Sequence, residues 1–209
     1  MAIRICITDK DKKVLRFVEE YGSITIEQTR KMFYNTQKYG YDIARRRLKK
    51  LVNHKKLKVI RDATGNENVY YTDKKLSYHD ILILDYYAEL IYSGANIIYF
   101  KPGKHWLGGR LISDAYCCYI LGDDIFFNIL EVVRTYGIDK DKYLELYKSG
   151  EPQRFNSMIY EKMGGEPINE FPRLIVVDSV THRDGIFIHD DVKVYQLDFK
   201  LRGLSKIFV

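Results

Sequence analysis

The segment YDIARRRLKKLVNHKK, residues 41–56, constrains this chain more than any other stretch. At helical spacing Ala44, Leu48, Leu51 and Val52 form one apolar stripe, while Asp42, Arg46, Lys49, Lys50 and Asn53 fall opposite. A helix patterned in this way needs neighbours to cover its back and leaves a basic front in water. Directly after it, LKVIRD and NVYYT are β-rich runs separated by ATGNE, whose Gly65 and Asn66 favour a turn, so the pair reads as a hairpin. The companions lie upstream. Thr8 precedes DKDKKVLRFVEEYG, in which Val14, Leu15, Val18 and Tyr21 share a face, Asp9 and Asp11 occupy the first turn and Gly22 supplies a stop. Thr25 and Gln28 form a capping box for a second, shorter helix with Ile26, Met32 and Phe33 toward a core.

Helix, helix, helix, hairpin is the order of a winged helix-turn-helix, in which the third helix fits the roughly 12 Å major groove and the hairpin follows the adjoining backbone. Charge agrees with that reading. Residues 1–75 carry 19 Lys or Arg against 9 Asp or Glu, a net of +10, and the remainder carries 15 against 19, a net of −4. A basic module joined to a near-neutral body suits a polyanion partner. The expected DNA-binding set is Arg45, Arg46, Lys49 and Lys50 on the third helix, with Asp42 on the same face. Thr36, Gln37, Lys38 and Tyr39 approach its N-terminal end, and Lys58, Arg61, Thr64 and Asn66 are expected on the wing.

ITDKDKKVLRFVEEYGSITIEQTRKMF, ARRRLKKLVNHKKL and the VYY-containing hairpin together resemble the replication-relaxation family of plasmids, phages and integrative elements. The resemblance is plainest over residues 7–75. Further on, LSYHDILILDYYAELI looks like that family's linking helix, and LISDAYCCYI, FFNILEVVR, FPRLIVV and LDFKLRGLSKIFV look like its C-terminal strands. The resemblance implies DNA binding in the maintenance, replication or transfer of a mobile element.

Residues 76–209 read as a second domain, giving an α+β chain. Ser77 and Asp80 make a capping box for a helix with Ile81, Leu84, Ala88 and Ile91 inward, ending at Gly94. NIIYFK, LISDAYCCYIL and DIFFNILEVVR read as strands, DKDKYLELYKSG as a helix, RLIVVDSV as a strand, and VKVYQL and SKIFV as a final strand pair. The resulting α, β, β, β, α, β order matches restriction-endonuclease-like nucleases, which hold a metal with an Asp on the second core strand and an acidic residue on the third, followed two positions later by Lys. Asp114 and Glu131 occupy such places, but Val133 stands where the Lys belongs. They therefore read as vestigial and the domain as non-catalytic.

Other chemistry is poorly supported. Cys6, Cys117 and Cys118 make no metal spacing, and paired cysteines on a strand face opposite ways. The five histidines show no HxxxH or HxH spacing, and KPGKHWLGGR lacks the Walker pattern and reads as a loop. No cofactor or metal is expected. Without a signal-type run or the roughly 20 apolar residues of a membrane span, the chain reads as soluble and cytoplasmic. The leading expectation is a sequence-specific double-stranded DNA-binding homodimer of a mobile element, acting in transcriptional regulation or plasmid replication or transfer. The alternatives are a metal-dependent nuclease targeted by the winged helix and an assembly protein recruiting a replication or transfer partner.

Overall fold

The computed structural model describes residues 6–61, 67–134, 137–179 and 185–208. The chain divides into two compact units, residues 1–93 and 94–209. Its class is α+β, with a small three-stranded sheet in the first unit and a mixed five-stranded sheet in the second.

In the first unit α1 spans Asp9–Tyr21, β1 Ser23–Thr25, α2 Ile26–Phe33 and α3 Gly40–Asn53. They are followed by β2 (Lys58–Arg61), β3 (Asn68–Tyr71) and α4 (Tyr78–Tyr92). Local chemistry sets the boundaries. Thr8 and Asp11 cap α1 reciprocally, and the pairs Thr25 with Gln28 and Ser77 with Asp80 do the same for α2 and α4. Gly22 ends α1 at φ 95°, a left-handed position that side chains resist. Of the expected stripe, Ala44, Leu48 and Leu51 are fully covered, whereas Val52 is half-buried. Burying each Leu contributes about 2 kcal/mol. The expected hairpin is present as antiparallel β2 and β3, with Lys58 opposite Tyr71 and Arg61 opposite Asn68. Between α1 and α2, Ser23–Thr25 form β1 and pair with the other edge of β3, Ile24 opposite Tyr70.

The boundary expected after residue 75 lies instead between residues 93 and 94. The physical reason is the buried amide of Gln28, whose Nε2 donates to the Ile81 carbonyl at 3.2 Å and to Asp85 Oδ1 at 2.8 Å, both on α4. Lys31 adds an ion pair to Glu89 at 2.5 Å, and Tyr87 packs on Phe17 and Tyr21 with ring centroids 5.7 Å apart in each case. So α4 completes the first core. Burial pushes the Asp85 carboxyl up to about 7 despite the hydrogen bond from Gln28 and the charge of Lys31. With α4 included, the first unit carries 19 basic against 12 acidic residues and the second 15 against 16. The asymmetry becomes +7 against −1, smaller than expected but of the same sense.

The second unit runs β4 (Asn96–Trp106), β5 (Leu111–Leu121), β6 (Asp124–Val133), α5 (Lys140–Ser149), α6 (Glu151–Lys162), β7 (Arg173–Asp178) and β8 (Val194–Asp198). Strands lie side by side in chain order. β4, β5 and β6 are antiparallel neighbours, whereas β6–β7 and β7–β8 are parallel. A parallel step from β6 to β7 needs a crossover, which α5 and α6 provide. Their Tyr143, Leu146 and Ile159 pack on Tyr116, Phe127, Ile129, Leu174 and Val176 of the sheet.

Three expectations change here. The α, β, β, β, α, β order loses its first helix to the other unit and gains α6, while the strand expected at VKVYQL is present as β8. KPGKHW is strand, not loop, because Trp106 is buried, pairs with Leu111 and donates from Nε1 to Ser113 Oγ at 3.0 Å. The tail expected as a strand is a 3-10 turn over Leu204–Phe208. There the Asp198 carboxylate accepts the Lys200 and Arg202 amides at 3.0 and 2.9 Å and turns the chain out of extended geometry. Among the described residues, no helix is long and apolar enough to cross a membrane.

Candidate nucleic-acid interface

The path from α2 into α3 is fixed by a tight turn. Gln37 N donates to the Tyr34 carbonyl at 3.2 Å and Gly40 N to the Gln37 carbonyl at 2.9 Å. A Cβ at residue 40 would fall on the Tyr34 carbonyl oxygen, so glycine is required for this approach. Tyr34 is buried, whereas Thr36, Gln37, Lys38 and Tyr39 are exposed. They form the approach to the N-terminal end of α3, with the Lys38 ammonium 5.5 Å from the Tyr39 ring centroid.

On α3 itself the cations divide by role. Arg47 turns toward α1, where its Nε donates to Asp11 Oδ1 at 2.9 Å and its Nη2 contacts the same carboxylate and the Cys6 carbonyl. Burial opposes charge on Asp11, but hydrogen bonds from Arg47 and Thr8 outweigh it and hold the carboxyl below its ordinary value. The same pairing raises Arg47. This ion pair joins α3 to α1. Arg45 is exposed and pairs with Asp42 at 3.0 Å, and Arg46 Nε donates to the Asp42 carbonyl at 3.3 Å. Lys49 is exposed and Lys50 half-buried, and neither forms an ion pair among the described residues. The helix thus presents Arg45, Arg46, Lys49 and Lys50 on a front whose back is core.

Four residues after α3, strand β2 exposes every side chain, Lys58 and Arg61 with Val59 and Ile60. Thr64 and Asn66 lie outside the described residues. Tyr41 was not among the expected contacts, yet it is 45% exposed one residue after Gly40, as Tyr39 is 63% exposed one residue before it. Two aromatic residues flanking a helix-starting glycine were the available signal, obscured by the 18 tyrosines of the chain.

Asp114 and Glu131 are brought near each other on adjacent strands, but their oxygens are engaged. Asp114 Oδ2 accepts the Val132 amide at 2.7 Å. Glu131 accepts the Lys142 ammonium at 3.0 and 3.1 Å on its two oxygens, together with the Tyr143 hydroxyl. Burial pushes the Glu131 carboxyl up, with Lys142 acting in the opposite direction and the charge of Asp114 adding to the rise. Val133 is buried, and the lysine beside the carboxylate comes from α5, eleven residues further along, where sequence spacing gave no hint of it. Cys117 and Cys118 are both buried, and desolvation raises both thiols, Cys118 to about 12, which makes them poor nucleophiles and metal ligands. Among the described residues no group of three His, Cys, Asp or Glu side chains could hold a metal ion. His182 is outside them. Comparison with protein-family models, curated proteins and solved structures finds no match to this chain.

Proposed function

We propose that the first unit is a winged helix-turn-helix that binds double-stranded DNA in a sequence-specific manner. The protein then acts for a mobile element, in transcriptional regulation or in plasmid replication or transfer, as the resemblance to the replication-relaxation family suggests. One observation carries the reading: α3 exposes Arg45, Arg46 and Lys49 on a front whose back, Ala44, Leu48 and Leu51, is wholly buried. A rigidly backed basic helix can enter a major groove, with side chains reaching guanine edges and phosphates. The three-stranded sheet supplies, directly after α3, a strand β2 whose Lys58 and Arg61 suit the backbone beside the groove. A module of this size reads a short half-site, so the active species is a homodimer.

Selection of bound fragments from the DNA surrounding the protein's own gene tests this directly. A recovered site should bind at least about a thousandfold tighter than random DNA. Arg46→Ala with Lys49→Ala should weaken binding about a hundredfold and lower the salt slope by about two. Equal affinity for all sequences would remove the specific reading, and an unchanged salt slope would remove the interface.

A metal-dependent nuclease is the second reading, favoured by the Lys142 ammonium beside Glu131. Against it, both oxygens of that carboxylate already contact the lysine. DNA cleavage in Mg²⁺ or Mn²⁺ that disappears in Asp114→Ala, Glu131→Ala and Lys142→Ala alike would establish it. Absence of cleavage by the native chain leaves the binding reading alone.

A further inference from the structure

The residue that precedes β3 brings a carboxylate to the start of α2. The capping box there uses the Gln28 amide, which donates to the Thr25 hydroxyl at 3.2 Å, and the Thr25 amide, which donates to the Gln28 side chain at 3.0 Å. The first two helical amides, those of Ile26 and Glu27, have no acceptor within the helix. Glu67, forty residues after Glu27, supplies one. Its Oε1 accepts the Glu27 amide at 3.1 Å, and the Thr25 side chain and the Ile26 amide also hydrogen-bond to it. The carboxylate of Glu27 itself is turned elsewhere, with Arg30 on its two oxygens at 2.7 and 2.8 Å. Burial pushes the Glu67 carboxyl up, against the hydrogen bond from the Glu27 amide, and the charge of Glu27 adds to the rise.

Glu67 sits where the hairpin leaves the body of the unit. The ladder between β1 and β3 ends with Thr25 opposite Val69, and that between β2 and β3 ends with Arg61 opposite Asn68. Glu67 is the next residue, beyond both ladders. Val69 is buried and Asn68 exposed, so the alternation of a strand returns Glu67 to the buried side, where α2 begins. Strand β2 depends on this tie. It lies at the edge of the sheet with β3 as its neighbour, and it exposes every side chain. Its direction relative to α2 and α3 is therefore set through β3, and Glu67 fixes β3 at the end nearest Arg61. An acidic side chain turned outward there would oppose phosphate contacts, whereas Glu67 is half-buried against α2.

We propose that Glu67 is a positioning residue for the wing: its carboxylate ties β3 to the start of α2 and so sets the angle at which β2 carries Lys58 and Arg61 to the phosphates beside the groove that α3 enters. The inference rests on the DNA reading above. It is tested on the full chain with a DNA fragment recovered from around its own gene. Methylation protection reads guanines in the groove, and hydroxyl-radical footprinting reads the backbone. The native chain should protect both, and Lys58→Ala with Arg61→Ala should lose the backbone protection that belongs to β2. Glu67→Ala should lose that same backbone protection and keep the guanine protection, binding about tenfold more weakly with a salt slope lower by about two. Glu67→Gln, which retains an acceptor at the same place, should restore most of both. In the Lys58→Ala, Arg61→Ala background, Glu67→Ala should change affinity by less than about twofold, because it acts through those two cations. A contact that merely stabilises the unit would weaken binding equally in both backgrounds, and that result overturns the proposal. So does native backbone protection in Glu67→Ala. So does a Glu67→Ala chain that circular dichroism shows to be unfolded, because the carboxylate would then hold the whole unit and not the wing. A native chain that protects no site is a failure of the DNA reading, whereas a native footprint left unchanged by Glu67→Ala is a failure of this inference alone.

Discussion

The two units differ in which contacts dominate between their elements. In the first, helices are tied by charged and amide contacts that cross between elements: Asp11 to Arg47, Gln28 to Asp85, Lys31 to Glu89. In the second, a sheet covered by α5 and α6 is held largely by aromatic packing, with Phe155 in edge contact with Tyr99, Trp106 and Tyr116 at centroid distances of 5.6, 5.7 and 5.1 Å. Short helices packed around a small sheet cannot cover all their polar side chains, whereas a five-stranded sheet offers a broad apolar face. The first unit should therefore respond most to pH and to single charge removals, and the second to loss of volume, with the Glu131–Lys142 pair its charge-sensitive point.

Removing the indole should produce the largest effect. Trp106→Ala should cost about 3–5 kcal/mol in chemical denaturation, since it opens a cavity among Tyr116 and Phe155 and leaves Ser113 Oγ without its donor. A loss below about 1 kcal/mol would mean that the aromatic cluster is not what holds the second unit.

Next is the pH dependence of the first unit. The unfolded Asp85 carboxyl ionises at its ordinary value of 3.8 and the folded one at about 7. Between those values the folded state holds the proton that the unfolded state has released, so stability falls as pH rises through this window, by up to about 4 kcal/mol. Asp85→Asn should flatten the profile, raising the melting temperature at pH 8 and leaving it nearly unchanged at pH 4. A native profile that rises steadily from pH 4 to 7 would contradict the assignment.

Breaking the tie between α1 and α3 should be somewhat milder. Asp11→Ala strands the Arg47 guanidinium, which is 23% exposed and so still partly hydrated, at a cost of about 2–3 kcal/mol. If α3 enters DNA as proposed, the same change should also loosen α3 and weaken DNA binding, because Arg47 ties α3 to α1 through Asp11. Tight binding in a destabilised Asp11→Ala protein would separate support from recognition.

The smallest expected effect comes from the turn. Gly40→Ala forces a Cβ against the Tyr34 carbonyl and should cost about 1–3 kcal/mol, with α3 shifting on α2. A neutral result would show that the approach between Tyr34 and Gly40 is looser than the turn geometry implies.

Much of the first unit was legible because its signals are local. Thr8, Thr25 and Ser77 cap helices through residues three positions away, Gly22 stops a helix by its own conformation, and Ala44, Leu48 and Leu51 face inward because a helix repeats every 3.6 residues. The exposed cations of α3 follow from the same periodicity. Chemistry carried by these neighbours reads directly from spacing, and the β-rich runs of the second unit are legible from composition.

What only the tertiary structure decided depends on contacts between distant positions. Whether α4 belongs to the first or second unit rests on Gln28 finding Ile81 and Asp85 more than fifty residues away. That Arg47 supports α3 while Arg45 and Arg46 face water rests on where α1 places Asp11. The lysine beside Glu131 arrives on a different helix, and the carboxylate at the start of α2 comes from Glu67, forty residues after Glu27. Periodicity assigns a side chain to a face, but only the packed chain says what that face meets. The basic front of α3 was therefore written in the sequence, and the partners that hold it rigid were not.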